Sequence, residues 1–320
     1  MEEIFMTVDR IIPAPLTEKA GKKYAALAYE EFCGENAVEI RCLGGGSFGM
    51  AFSVTAKGGS KAVIKFLRAD GMLSKEAHDL KLLGSVCPIK MPEVFFTRPK
   101  DGKIPLDCYG MELIDGKPLF FGVMDFLSPK SRRAALAERI TDALHEIHLH
   151  VSEKFGDTLN PAFDDWTDYY RPFAEQVLNK AEEFAARGEL NKHIVEVMRA
   201  AMKKFDVIFE EKVERACLIH GDLNVVNILK KGDSLAFIDP LGSAYADVEY
   251  DLFQFYNLTG RRYLLGQTYR EKYGESKRCD DKLAFYGLWN EVFCFIKSGV
   301  LIPSIMNPLV KNMKKRLKNL

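Results

Sequence analysis

The chain has 320 residues, 47% of them hydrophobic and 28% charged, a globular composition long enough for roughly two domains or lobes and a full core. Lys+Arg and Asp+Glu both number 45, so zero formal net charge excludes a global basic footprint for nucleic acid. Seven widely spaced cysteines with no CxxC predict reduced thiols in a cytoplasmic protein. No apolar run reaches membrane-spanning length, and "MEEIFMTVDRIIPAPL" lacks the apolar stretch of a signal peptide.

In chain order, Thr17 caps a predicted helix over 18–33 that Gly34 stops. Residues 38–43 alternate as a strand, "GGGSFG" follows, and Met50, Phe52 and Val54 mark one face of a second strand. "GGS" at 58–60 turns the chain into a third strand, "KAVIKFL". Residues 74–84 read as a short helix with a Ser cap and a Gly stop, and 106–116 as a strand ending in a turn. Helical periods then dominate at 130–150, 169–188 and 191–212. A strand–turn–strand unit runs from Asp222 to Asp239, before helices at about 247–258, 280–297 and 304–318. This predicts an α+β protein: a small antiparallel β-sheet N-lobe over 1–113 and a larger, mainly helical C-lobe over 114–320, joined by a short hinge.

Three stretches can carry chemistry. Gly44, Gly45, Gly46, Ser47 and Gly49 sit between two strands, where backbone N–H groups can hold phosphate oxygens. The stretch matches neither a P-loop nor a dinucleotide fingerprint, and alone it reads better as a plain glycine turn. Lys65 shares a strand face with Val63; on an apolar face it needs a partner, and Glu76 on the next helix is the natural one. In "HGDLNVVNILKKGDSLAFIDP" the hairpin turns at Lys231–Ser234, so its open ends bring Asn227 and Asp239 side by side. An amide and a carboxylate there are hard oxygen ligands suited to Mg²⁺ on a nucleotide's phosphates. Asp222, on the loop entering the same end, is placed to accept a proton from a substrate hydroxyl. The stretch 156–170 holds four Asp, two Tyr and a Trp, which suits a cationic amino sugar or a solvated loop. His145, His148 and His150 lack metal-box spacing and read as polar helix positions, while His220 reads as structural and Asp251 as a brace for the loop.

Glycine loop, strand lysine and helix glutamate follow in the order found in protein-kinase-like enzymes. Asp222 and Asn227 keep the five-residue spacing of the kinase catalytic loop. "HGDLNVVNIL…FIDP" resembles the aminoglycoside phosphotransferase and fructosamine kinase superfamily over about residues 36–258, and "IDPLGSAYADVEYDL" is closest to the fructosamine kinase side. The resemblance implies a two-lobed protein-kinase-like fold and transfer of a phosphoryl group from ATP, with GTP as the alternative and Mg²⁺ as cofactor. The acceptor it implies is a hydroxyl of an amino sugar, ketosamine or aminoglycoside-like molecule. It also places Met111, Glu112 and Ile114 at a hinge whose backbone would read adenine. Only "PLGSAYADVEY" separates Asp239 from Asp251, too little for the activation segment of a protein kinase. A kinase-like regulatory enzyme and a catalytically silent nucleotide-binding protein are the rival readings.

Overall fold

A computed structural model describes residues 8–46, 48–122, 127–256 and 260–320. Helix α1 (Glu18–Cys33) opens on Thr17, whose hydroxyl accepts the Ala20 N–H at 3.2 Å, and ends at Gly34 in the left-handed region, as the sequence predicts. It covers one face of a five-stranded antiparallel sheet: β1 (Ala37–Gly45), β2 (Gly49–Ala56), β3 (Lys61–Leu67), β5 (Cys108–Met111) and β4 (Val94–Arg98), in that spatial order. Phe52, Val54, Ile64 and Phe66 point into this α1 face and are buried with Ala25, Ala28 and Tyr29. The contact is close: a methyl group at Gly21 would meet the Phe52 ring at 2.2 Å.

The opposite face of β3 carries Val63, Lys65 and Leu67, and against it lies α2 (Met72–Val86). This helix begins earlier and ends later than its sequence signals indicate. Gly71 occupies its N-cap, Ser74 lies inside it, and it runs through Gly84 because Leu80 and Leu83 are packed in the core. Tertiary burial overrides a local stop signal. The strand expected over 106–116 is confined to Cys108–Met111, and residues 112–116 belong to no strand.

The C-terminal region is mainly helical: α3 (Lys130–His148), α4 (Trp166–Ala186), α5 (Lys192–Met202), α6 (Phe205–Ile208), α7 (Val248–Leu252), α8 (Leu265–Tyr273), α9 (Cys279–Ser298) and α10 (Pro303–Leu317). The single helix expected over 191–212 is therefore two pieces, and the one over 247–258 is a short α-turn capped by Asp247 that continues as a 3₁₀ turn, Phe253–Tyr256. Helix α9 is the spine of the core, with Phe285, Tyr286, Leu288, Trp289 and Ile296 buried. Two of its buried polar groups are paired: Trp289 Nε1 donates to the Ala174 carbonyl at 2.8 Å, and Lys282 pairs with Asp247 at 2.5 Å and Glu249 at 2.7 Å. Two small sheets complete the region. One orders β7 (Val151–Ser152), β10 (Ala216–Leu218), β13 (Ala244–Ala246), β8 (Phe155–Asp157) and β9 (Asn160–Phe163); the other joins β12 (Ser234–Phe237), β11 (Ile228–Lys231) and β6 (Lys117–Pro118). Residues 8–16 bridge the two parts. Val8 belongs to the C-terminal core and Leu16 to the N-terminal one, and between them Ile11 N–H donates to the Lys297 carbonyl and Ala14 N–H to the Arg68 carbonyl. No helix among the described residues is long and apolar enough to cross a membrane.

Candidate active site

The hairpin of β11 and β12 pairs Ile228 with Phe237 and Lys231 with Ser234, so its open end faces the sheet of the N-terminal part. Ile238 N–H donates to the Asn227 carbonyl at 3.0 Å, which sets Asn227 beside Asp239 as the spacing predicts. Asn227 donates its Nδ2 to the Asp222 backbone carbonyl at 2.8 Å and carboxylate at 3.0 Å. That leaves the Asn227 Oδ1 for a cation. Asp239 adopts φ 56°, in the left-handed region that is uncommon for non-glycine residues and that Asp tolerates better than most.

Lys65 is the bridge between the two parts. Its Nζ lies 2.8 Å from Glu76 and donates to Asp239 at 2.6 Å. The pairing with Glu76 is the predicted one; the second carboxylate, 174 residues away, has no local sequence signal. Tyr109 Oη also donates to Glu76, at 3.1 Å. Burial works against the charge on Lys65, but Asp239 and Glu76 outweigh it and hold the ammonium well above its ordinary pKa. Burial also opposes ionisation of Asp239, and Lys65 reverses the balance, keeping that carboxyl below the usual range. Glu76 goes the other way: its burial raises the pKa despite Lys65.

Around these groups lies a cleft of about 460 Å³. Gly44, Gly45, Gly46 and Gly49 form one wall, and the turn closes by Gly46 N–H donating to the Gly49 carbonyl at 2.9 Å. A methyl group at Gly49 would approach Lys65 Cε to 3.0 Å, so the glycine gives the lysine room to lie against the loop. Ser47 lies outside the described residues. Met111, Glu112 and Ile114 line the far end. Glu112 N–H is spent on the Glu93 carbonyl at 2.8 Å, while the Glu112 carbonyl and Ile114 N–H have no backbone partner among the described residues. An acceptor and a donor without backbone partners, on residues that line a cleft, are the kind of pair that an adenine edge uses.

Asp222 opens onto a second, smaller cavity of about 160 Å³. It adjoins the cleft through the shared wall residues Phe48, Met72 and Leu241. Burial, then the nearby Asp239 charge, pushes the Asp222 carboxyl up to about 7, against hydrogen bonds from Asn224 and Asn227. A base poised near neutral pH suits proton transfer. The loop carrying it is braced by Asp251, which accepts the His220 N–H and the Gly221 N–H, both at 2.7 Å. His220 is fully buried, and burial lowers its pKa to about 4, which fits a neutral structural imidazole. His148 bonds Asp251 at 3.2 Å and Tyr269 at 2.7 Å, so the histidine-rich helix end supports this brace.

Of the two readings the acidic stretch allows, Asp164, Asp165 and Asp168 fit the solvated one. Asp164 pairs with Lys154 and is 85% exposed, Asp165 caps α4 through the Thr167 N–H, and Asp168 is exposed on the first turn. None of the three lines the cavity; Trp166, Tyr169 and Tyr170 do. Asp157 also lines it, but is paired with Lys75 at 3.3 Å. Sequence reasoning missed Lys75 altogether, together with Asn224, whose Nδ2 donates to the Asp222 carboxylate at 2.9 Å.

The sequence profile of the fructosamine kinase family matches residues 26–295. No curated protein sequence matches the chain. Among solved structures, it is similar to one from Thermobifida fusca YX-ER1 described as a fructosamine-3-kinase, with 22% identity and a TM-score of 0.68 over 92% of this chain and 98% of that one. Aminoglycoside 2'-phosphotransferase-IIIa, in its GDP complex, gives 16% identity and a TM-score of 0.67 over 93% and 98%. A thermostable mutant of aminoglycoside phosphotransferase APH(4)-Ia, in ternary complex with ADP and hygromycin B, gives 15% and 0.65 over 93% and 97%. These likenesses establish the kinase-like fold. With the family match spanning most of its length, the chain belongs to the fructosamine kinase family and is a small-molecule kinase, a phosphotransferase acting on a hydroxyl group.

Proposed function

We propose that the protein transfers the γ-phosphoryl group of ATP to a hydroxyl of a compact sugar-like acceptor, a ketosamine or amino sugar, seated in the cavity beside Asp222. The observation that carries this reading is the adjacency of two spaces with different chemistry. The larger holds Lys65, Asn227 and Asp239 behind a glycine loop; the smaller holds Asp222 among aromatic rings. The division at 113/114 follows the same line, with the glycine loop on one side and the acceptor groups on the other.

Phosphoryl transfer asks mainly for positioning and charge stabilisation. Lys65 supplies a fixed positive charge beside the glycine loop, and Glu76 and Tyr109 fix its position. Asp239 and Asn227 fit a Mg²⁺ ion in donor type, since both offer hard oxygens at the cleft. Such an ion would neutralise charge on the phosphates. Asp222 accepts the acceptor's hydroxyl proton, and the aromatic wall of Trp166, Tyr169 and Tyr170 gives a sugar ring a face to stack on. Neighbours are described with ADP and with GDP; the Glu112 carbonyl and Ile114 N–H together match the 6-amino group and N1 of adenine, where guanine presents a carbonyl and an N–H, and so favour ATP. Seven unpaired thiols suit a reducing cytoplasm.

The test is ADP release, coupled to a reporter, over ketosamines, amino sugars, neutral monosaccharides and aminoglycosides. Turnover on single-ring acceptors above the no-acceptor rate is expected. Phosphorylation of a peptide alone, or GTP used and ATP refused, would contradict the reading.

A further inference from the structure

Lys75 stands next to Glu76 on α2 and is used by none of the steps above. It is 4% exposed, and its ammonium is met by acceptors from three parts of the chain. Asp79, one turn along the same helix, lies at 2.8 Å; Thr158 Oγ1, in the β8–β9 turn, at 2.6 Å; and the Ser243 carbonyl at 2.7 Å. Thr158 in turn donates to Asp79. Ser243 lies four residues beyond Asp239, and its hydroxyl donates to the His220 carbonyl at 2.9 Å, on the loop that carries Asp222.

We infer that Lys75 is a positioning residue, a buried bolt between the two parts of the molecule that keeps α2 turned so that Glu76 stays on Lys65. Consecutive helical residues point about 100° apart. Glu76 is gripped from the sheet side by Lys65 and Tyr109, and Lys75 from the C-terminal side by Thr158 and Ser243. The helix cannot rotate about its axis without breaking one set. A buried ammonium stripped of its acceptors is costly, so the set on Lys75 resists breaking. In kinase-like enzymes the lysine–glutamate pair must be in place for transfer. Here the bolt is wired into both the metal loop and the catalytic loop, so the pair stands assembled without an activating modification. The inference rests on the nucleotide reading of the cleft proposed above.

Calorimetric titration of the full chain with Mg²⁺·AMP-PNP and, separately, with adenosine separates a positioning role from a structural one. Lys75→Met should weaken AMP-PNP roughly tenfold, as expected when the Glu76-inward state falls to about a tenth of the molecules. Adenosine, which reaches only the hinge, should keep its affinity. Glu76→Gln should show the same selective loss, and the double variant should lose no more than the weaker single one. Wild-type AMP-PNP affinity in Lys75→Met alongside weakened binding in Glu76→Gln overturns the bolt, as does equal loss of both ligands. If Glu76→Gln and Lys65→Met leave AMP-PNP binding intact, the nucleotide reading itself fails and this inference falls with it. Should Lys75→Met fail to fold, Thr158→Val and Asp79→Asn make the same comparison.

Discussion

Gly221→Ala is the substitution whose consequence follows most directly from the geometry. Gly221 has φ 82° and donates its N–H to Asp251 at 2.7 Å, on the loop just before Asp222. A methyl group there would stand 2.4 Å from the Leu241 carbonyl oxygen and 2.8 Å from that of Gly242. Both obstacles are backbone of the segment that follows Asp239. Strained backbone costs about 1–3 kcal/mol and overpacking about the same again, so roughly 2–6 kcal/mol of stability should be lost. Ordinary contact begins near 3.4 Å, so the loop before Asp222 and the segment after Asp239 must separate by about 1 Å, a misplacement that can lower turnover on the order of 100-fold. Gly232→Ala is the control. It also has positive φ, 57°, but nothing lies within 4 Å of the added carbon, and it sits at the far turn of the hairpin. It should cost only the backbone strain of about 1–2 kcal/mol and leave turnover unchanged. Urea unfolding and steady-state kinetics on both variants decide the matter. Equal destabilisation by the two alanines, or wild-type turnover in Gly221→Ala, would refute the reasoning.

Lys65→Met should abolish turnover and weaken Mg²⁺·ATP binding while leaving adenosine binding intact, read by calorimetry; unchanged ATP affinity would remove Lys65 from the phosphate site. His220→Gln tests the buried imidazole. The folded state holds His220 near pKa 4, below the 6.5 of the free side chain, so the unfolded chain binds the extra proton between these values and stability falls as pH drops through that window. The wild type should lose about 3 kcal/mol more than the variant between pH 7 and pH 4, measured as the pH dependence of urea midpoints; parallel curves would contradict it. Neutralising Asp164, Asp165 and Asp168 together should leave the acceptor KM unchanged, because none lines the cavity; a several-fold rise would restore the acidic stretch as a binding surface.

What the sequence reveals here is whatever local geometry determines. The turn at Lys231–Ser234 fixes the hairpin and therefore the meeting of Asn227 with Asp239. Strand alternation puts Lys65 on the face of Val63, towards α2 and Glu76. Long-range partnerships are another matter. Thr158 is 83 residues from Lys75 and Ser243 is 168, and nothing in the local pattern brings them together. Charge counts are equally blind to direction: in 156–170 the three acids Asp164, Asp165 and Asp168 turn away from the cavity while Trp166, Tyr169 and Tyr170 line it. The five-stranded C-terminal sheet is not legible because strands of two to four residues such as Val151–Ser152 and Ala216–Leu218 are too short for a period to show. Glycine stop signals are reliable at Gly34, which is exposed, and fail at Gly84, where the buried Leu83 holds the helix in register.

The central claim is that Asp222 takes the proton of a small acceptor's hydroxyl while Lys65, Asn227 and Asp239 serve the nucleotide. It is tested most directly by measuring kcat and the Mg²⁺·ATP dissociation constant of Asp222→Asn, using the best acceptor from the panel. The account predicts that kcat falls on the order of 10²–10⁴-fold while the dissociation constant stays within about twofold, the asparagine keeping the side-chain oxygen that accepts the Asn227 Nδ2. Wild-type kcat in this variant, or a loss confined to nucleotide affinity, would contradict it.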